Sequence, residues 1–373
     1  MIYLDAAATT LQKPVEVASA MAQAVRQYAS PGRGGYPPSA AAAELAFCCR
    51  TELAEFLGAA GPEQIIFTSS ATHGLNIAIR SLVGPGDQVV ISGYEHNAVT
   101  RTLASIPGVE TRVAATQLFS QEADIEAFRS QIDHKTKAVI CTHVSNVFGY
   151  ILPIGEIAAL CREREVPLIV DASQSAGVLP IETETWQAAY VALPGHKGLY
   201  GPQGTGVLVC GKESRPVPLL TGGTGSESRL QQMPDYLPDG QEAGTHNMPG
   251  IAGLYAGLRF VRRTGTERIL RHERQLMKQL IPALKRVPGA EVFVPECGSC
   301  HAGVLSFRLG GKDCETVSGC LGRQGIALRA GLHCAPLAHQ LAGTLETGTI
   351  RASVSAFNRE SDIRTLTWML NNL

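Results

Sequence analysis

The stretches PLIVDASQSAG (167–177) and YVALPGHKGLYGPQGTGVLVCG (190–211) are the most informative part of this sequence. Each begins with a short apolar run and continues into small or polar residues. Short runs that are apolar throughout are typical of strands in a parallel sheet whose two faces are both covered by helices. Ligands bind beyond the carboxyl ends of such strands, so Asp171 and Lys197, which follow these runs, are the first functional candidates.

The same alternation of short apolar runs and helical segments extends towards the N-terminus, through KAVICTHV, DQVVISG and QIIFTS. From about residue 250 the pattern changes to long helical stretches followed by the short strands AGVLSFRLG and GTIRASVSAF. We therefore predict an α/β fold with a large, mainly parallel sheet domain and a smaller α+β domain.

Composition excludes several classes of protein. The 373 residues are 45% hydrophobic and 17% charged, with a formal net charge of -1, which is typical of a globular chain and not of a nucleic-acid binder or a polybasic membrane-surface protein. No run approaches the roughly 18 apolar residues of a membrane span, and the start MIYLDAAATT lacks the features of a secretory signal. Ten scattered cysteines favour a reducing compartment. We expect a cytoplasmic protein without nucleic-acid or membrane partners.

The segment FTSSATHGLNIAIRSL (67–82) predicts a strand that turns directly into a helix. The free amides of that helix terminus and the nearby Ser69, Ser70 and Thr72 hydroxyls would suit a phosphate. Ordinary N-capping explains the same residues equally well.

Asp171 and Lys197 together indicate a specific cofactor. A carboxylate at the end of an apolar strand needs a cationic or hydrogen-bonding partner there; the alternative is that Asp171 caps the next turn. Lys197 lies among glycines and apolar residues, and a poorly solvated lysine is an amine nucleophile suited to Schiff-base chemistry. An anion cradle, a carboxylate and an amine are what pyridoxal phosphate requires for its phosphate, its pyridine nitrogen and its aldehyde.

A third candidate region lies in GIALRAGLHCAPLAH (325–339), where Arg329 and His333 flank Cys334. Such neighbours favour the thiolate, so Cys334 is a candidate nucleophile; the alternative is another buried cysteine. Arg351, on a predicted strand, either binds a carboxylate or is a surface arginine.

The motif CGSCH (297–301) has the pattern of covalent haem attachment, and its CxxC is also compatible with a redox pair or half of a zinc site. Haem attachment requires export, and no second CxxC completes a zinc site. We interpret the motif as a loop that leads into AGVLSFRLG, and we predict no metal.

Five ordered segments resemble the class V aminotransferase family, specifically its cysteine desulfurase and selenocysteine lyase branch. They are YLDAAATT (3–10), SSATHGLN (69–76), EHNA (95–98) with HVSN (143–146), VDASQSAG (170–177) with GHKGLYGPQGTG (195–206), and RAGLHCAP (329–336) with GTIRAS (348–353). The resemblance implies a fold type I pyridoxal-phosphate enzyme with a seven-stranded sheet. It also implies a large domain at 16–260 and a small domain formed by 1–15 and 261–373.

The resemblance also implies site residues. Its cofactor-binding positions are Ala71, Thr72, His96, Asp171, Gln174, His196, Lys197 and Thr245, the last reaching the partner subunit of a homodimer. Its substrate-binding positions are Asn146, Arg329 and Arg351, and its catalytic positions are Lys197, Cys334 and His96. Lys197 would bind the cofactor covalently, Asp171 would pair with its ring nitrogen, and His96 would stack on its ring.

The implied activity converts L-cysteine to L-alanine and leaves the sulfur on Cys334 as a persulfide, which an acceptor protein then takes. The alternatives with the same cofactor are a selenocysteine lyase and a β-lyase or aminotransferase that acts on another amino acid. A non-catalytic scaffold is a more distant one. The chain departs from the family pattern at His73, Pro194 and the additional Gly198.

Overall fold

The computed structural model describes residues 1–32, 34–115 and 117–372. The strands are β1 (Ile2–Tyr3), β2 (Ile65–Thr68), β3 (Gln88–Ser92), β4 (Glu110–Ala114), β5 (Thr136–Thr142), β6 (Leu168–Asp171), β7 (Tyr190–Pro194), β8 (Gly206–Cys210), β9 (Ala290–Phe293), β10 (Val304–Leu309), β11 (Ile326–Ala327), β12 (Arg329–Gly331) and β13 (Thr349–Ser353). The α-helices are α1 (Val15–Gln27), α2 (Pro37–Leu57), α3 (Ala71–Leu82), α4 (Asn97–Ala104), α5 (Gln121–Gln131), α6 (Ile154–Glu163), α7 (Thr183–Trp186), α8 (Met248–Thr264), α9 (Thr266–Lys285), α10 (Cys314–Arg323), α11 (Pro336–Leu341) and α12 (Glu360–Leu370).

The larger sheet has seven strands in the order β2-β8-β7-β6-β5-β3-β4. Strands β3 to β7 pair in parallel, and β8 is antiparallel to both of its neighbours. All residues of β3, β6, β7 and β8 are buried, because helices cover both faces of the sheet. The predicted α/β class with a mainly parallel seven-stranded sheet is confirmed.

A second sheet is antiparallel, in the order β12-β13-β10-β9. It shares an apolar core with the inner faces of α9, α10 and α12. The N-terminus joins this region, since β1 pairs with β11 and Leu4 lies in the same core. Both ends of the chain therefore pack beside the second sheet, and the division into 1–15, 16–260 and 261–373 stays a prediction.

The fold brings three strand ends to one place. Thr142, Asp171 and Pro194 are the last residues of the adjacent strands β5, β6 and β7, and all three line one cavity. Helices α3 and α4 begin at the same edge of the sheet, and β12 and β13 of the second sheet contribute to the opposite wall. Within the described ranges, no helix is both long and apolar enough to cross a membrane.

Candidate active site

The cavity at this edge has a volume of about 200 Å³. It brings together ten of the twelve residues that the sequence analysis proposed: Ala71, Thr72, His96, Asn146, Asp171, Gln174, His196, Lys197, Arg329 and Arg351. Cys334 does not line the cavity but lies on the loop beside it, and Thr245 lies elsewhere.

One end of the cavity is suited to an anion. Helix α3 begins there, and the hydroxyl of Ser70 caps it by accepting the His73 amide at 3.2 Å. The amides of Ala71 and Thr72, in the first turn of the helix, have no intrahelical acceptor, and both residues line the cavity. Capping and anion binding, which the sequence left as alternatives, are therefore compatible in one turn.

Asp171 is 3% exposed and ends β6 inside the cavity. Its Oδ1 accepts the amide of Ser173 at 2.9 Å, and no described residue donates to Oδ2. A buried carboxylate is costly unless a donor or cation meets it, so this oxygen calls for a partner within the cavity.

Lys197 projects from the turn that follows β7. Burial lowers the pKa of its amine to about 8, although nearby Asp171 partly opposes this shift. The hydroxyl of Thr10 anchors the turn by donating to the carbonyls of His196 and Lys197 at 3.0 and 3.3 Å. A fraction of the amine is therefore neutral near pH 7, which a nucleophile or base requires.

There is a steric reason for glycine at position 198, the additional glycine of this turn. A Cβ atom on Gly198 would lie 2.3 Å from the carbonyl oxygen of Ala176, and one on Gly177 would lie 2.1 Å from the carbonyl oxygen of Gly198. Two backbone segments therefore pass each other at a distance that excludes side chains, directly after Lys197.

Hydrogen bonds fix the orientation of three further side chains. His96 caps α4, and its Nδ1 accepts the Ala98 amide at 3.0 Å, which leaves the proton of the neutral ring on Nε2. Burial lowers the pKa of His96 and favours that neutral form. Gln174 donates to the carbonyl of Ala7 at 2.9 Å, and His196 shares a hydrogen bond with Thr9 at 3.0 Å.

Arg351 is 1% exposed and already has partners. Its guanidinium donates to the Asn146 carbonyl at 2.9 Å and forms an ion pair with Asp5 at 2.8 Å, while Nε has no partner among the described residues. Arg351 is thus not a surface arginine. Asp5 is a site residue that the sequence analysis missed, and its place in the segment YLDAAATT was the available signal.

The loop that carries Cys334 has an unusual backbone. His333 and Cys334 both have positive φ angles, 49° and 58°, which cost energy for residues other than glycine and persist only where the surroundings impose them. The Cys334 carbonyl accepts the Asn97 amide at 2.7 Å, and an Nη atom of Arg329 lies 4.0 Å from Sγ. The thiol is half-buried, so the alternative of a fully buried structural cysteine does not hold.

Glu95 is a second residue that the sequence analysis missed. It is fully buried, and its Oε1 accepts the hydroxyl of Ser92 at 2.5 Å and the amide of Thr142 at 2.7 Å. Burial raises the pKa of Glu95 to about 8. It links the ends of β3 and β5 directly before His96, and only its position in the segment EHNA hinted at this role.

Thr245 is exposed and lies in a separate depression with Ser69 and His73. The segment around it is anchored by Glu242, which pairs with buried Arg50 and with His246. Its predicted contact with a partner subunit stays a prediction. Across the described residues, no group of three or more His, Cys, Asp or Glu side chains is placed to hold a metal ion.

Comparison with known proteins gives one consistent result. The aminotransferase class-V family profile matches residues 2–366. A probable cysteine desulfurase from Methanothermobacter thermautotrophicus is 32% identical and covers 98% of this chain and 92% of the relative. A cysteine desulfurase from Pectobacterium carotovorum is 33% identical, with 90% and 84% covered.

Solved structures that resemble this chain are also those of cysteine desulfurases. The apo structure of a cysteine desulfurase from Thermococcus onnurineus NA1 has a TM-score of 0.90 at 30% identity and covers 100% of this chain and 94% of that one. A cysteine desulfurase from Escherichia coli has a TM-score of 0.86 at 25% identity, with 99% and 94% covered. The chain therefore belongs to the class V aminotransferase family, among relatives that are named cysteine desulfurases.

Proposed function

We propose that this protein is a pyridoxal-phosphate-dependent cysteine desulfurase that converts L-cysteine to L-alanine and takes up the sulfur as a persulfide on Cys334. The observation that carries the proposal is one cavity that holds an amine of lowered pKa, Lys197, and a buried carboxylate, Asp171, with the half-buried thiol of Cys334 on the adjacent loop. An aminotransferase has no need of that thiol.

The residues of the cavity fit pyridoxal phosphate. The first amides of α3 would hold its phosphate, Oδ2 of Asp171 would meet its ring nitrogen, and Lys197 would bind its aldehyde. Gln174, His196 and His96 line the same cavity, and His96 would contact the cofactor ring. When bound, the cofactor supplies an electron sink for the negative charge that develops at the α-carbon of an amino acid.

Lys197 would act as the acid and base of the reaction. Its Nζ takes the α-proton of the substrate and later delivers a proton to the product. A pKa of about 8 suits both tasks, because the protonated and neutral forms are both populated near neutral pH. The neighbouring His96 lines the same cavity with its Nδ1 already occupied by the Ala98 amide, and its Nε2–H would contribute a hydrogen bond.

Arg351, Asn146 and Arg329 would position the substrate and the thiol. Arg351 and Asn146 line the cavity, where they would bind the substrate carboxylate. The Cys334 thiolate attacks the sulfur of the substrate, so a S–S bond forms while the C–S bond breaks. The bonding electrons stay with the carbon, which is protonated to give alanine, and Arg329 would stabilise the thiolate.

We further propose that the enzyme is a cytoplasmic homodimer. In this arrangement the exposed Thr245 would reach the phosphate in the partner subunit. The persulfide would then pass to a sulfur-acceptor protein or be reduced to sulfide. L-Selenocysteine would be handled by the same residues, so it is tested as a second substrate.

The test is to incubate cofactor-loaded protein with L-cysteine and a thiol reductant and to quantify alanine and sulfide together. Equal amounts from the wild type, lost in Cys334→Ser and retained in the matched control Cys320→Ser, are expected. Pyruvate and ammonia in place of alanine would indicate a β-lyase. Turnover that does not depend on Cys334 would overturn the proposed role of that thiol, and absence of cofactor binding would favour a non-catalytic scaffold.

A further inference from the structure

The CGSCH motif forms a turn outside the active-site cavity. Gly298–Cys300 is a single 3₁₀ turn, and the amide of Cys300 donates to the carbonyl of Cys297 at 3.1 Å. A turn closed in this way keeps its first and fourth Cα atoms within about 7 Å of each other. That separation is compatible with a disulfide bond between Cys297 and Cys300.

The two thiols have different surroundings. All ten cysteines lie in the described part of the chain, and Cys297 alone has an exposed side chain. Cys300 is half-buried and packs against the main apolar core. The Ser299 hydroxyl lies 2.8 Å from the Cys297 sulfur and 4.0 Å from the Cys300 sulfur, so it is placed between the two thiols.

These surroundings give the two thiols different pKa values and therefore different reactivities. Hydrogen bonds from Cys300 and Ser299 lower the pKa of Cys297 to about 7, whereas burial raises the pKa of Cys300. The attacking thiol of thiol–disulfide exchange works best with a pKa near the ambient pH, and it must be accessible. Cys297 meets both conditions, and the less exposed Cys300 lies in the same turn.

The turn is held in place by the rest of the fold. The guanidinium of Arg274 donates to the carbonyls of Ser299 and His301 at 2.6 and 2.9 Å. The amide of Ile151 donates to the Cys300 carbonyl at 2.9 Å. Three anchored backbone carbonyls lower the entropy that closing the small ring would otherwise lose.

We propose that Cys297 and Cys300 form a reversible dithiol site that reacts with small-molecule disulfides, with Cys297 as the attacking thiolate and Cys300 as the resolving thiol. The Cys297 thiolate attacks one sulfur of a disulfide RSSR, so a mixed disulfide forms and RS⁻ leaves. Cys300 then loses its proton and attacks the Cys297 sulfur, which closes the Cys297–Cys300 bond and releases a second RS⁻. Two protein thiols are oxidised, and one disulfide is reduced to two thiols. This site does not depend on the proposed desulfurase activity.

The experiment exposes cofactor-loaded protein to oxidised glutathione, alkylates the remaining thiols in acid and maps the peptides by mass spectrometry. The wild type should accumulate an internal Cys297–Cys300 disulfide, which reduced glutathione reverses. Cys300→Ser should stop at one glutathione on Cys297, and Cys297→Ser should react at least tenfold more slowly in this peptide. Cys320→Ser is the matched control and should behave as the wild type; the Cys334 peptide is followed separately.

A second measurement does not depend on these variants. The rate of alkylation of Cys297 in the wild type should rise with pH through a midpoint near 7, and Ser299→Ala should move that midpoint upward. A stable mixed disulfide on wild-type Cys297 without the internal bond would overturn the proposal. A midpoint of Cys297 alkylation at the ordinary pKa of a thiol would also overturn the proposal.

Discussion

The side-chain amide of Asn146 donates to the carbonyl oxygen of His333, the residue directly before Cys334, at 2.7 Å. The carbonyl of Asn146 in turn accepts a hydrogen bond from Arg351 at 2.9 Å. Asn146 thus connects the loop that carries the thiol with the cavity wall at which the substrate carboxylate would bind. Because this loop holds two non-glycine residues at positive φ, it depends on such external contacts to keep its shape.

Asn146→Ala should therefore impair sulfur transfer more than cofactor binding. Loss of one buried hydrogen bond costs about 1–3 kcal/mol, so the rate of alanine formation should fall by about fivefold or more. Titration with pyridoxal phosphate should give an affinity close to that of the wild type. Asn371→Ala, at an exposed position near the C-terminus, serves as the control, and an equal loss of cofactor affinity in Asn146→Ala would contradict the assignment.

Asp5→Asn should destabilise the protein, because it removes the negative charge that faces buried Arg351. An uncompensated buried charge is costly, and with Asp5 partly solvated we expect the free energy of unfolding to fall by about 2 kcal/mol. Glu291→Gln breaks the more exposed ion pair with Arg308 and should change the free energy of unfolding by less than about 1 kcal/mol. Urea unfolding of both variants measures the difference. Equal effects would show that Arg351 does not depend on Asp5.

The sequence was sufficient to find Asp171 and Lys197, because each follows a buried strand and the carboxyl ends of parallel strands mark ligand sites. Asp5 was not found, since its partner Arg351 is 346 residues away and only the folded chain shows the contact. Glu95 was missed for a related reason: one of its partners, Thr142, is 47 residues away on β5, and only the folded chain shows that contact. Local patterns report which residues end a strand, whereas ion pairs between distant segments require the packing of the whole chain.

Glu95→Gln should change how stability depends on pH. Burial, with a smaller contribution from Asp171, raises the pKa of Glu95 from 4.5 to about 8. The folded state therefore retains a proton that the unfolded state releases, and this favourable contribution is complete below pH 4.5 and is lost as the pH rises to about 8. Glutamine stays neutral throughout and avoids that loss.

Urea unfolding at pH 5 and at pH 8.5 tests this expectation. The free energy of unfolding of the wild type minus that of Glu95→Gln should be smaller at pH 8.5 than at pH 5. A difference that does not change with pH would mean that Glu95 is ionised in the folded protein already at pH 5.

Gly198→Ala should displace Lys197. The new Cβ atom would lie 2.3 Å from the carbonyl oxygen of Ala176, and a backbone atom cannot move aside as a side chain does. We expect a loss of about 1–3 kcal/mol in the free energy of unfolding, together with weaker binding of pyridoxal phosphate. Gly155→Ala is the matched control, because its site within α6 has open space around the new atom and alanine favours the helix. If Gly198→Ala binds the cofactor as the wild type does, the close approach of the two turns does not set the position of Lys197.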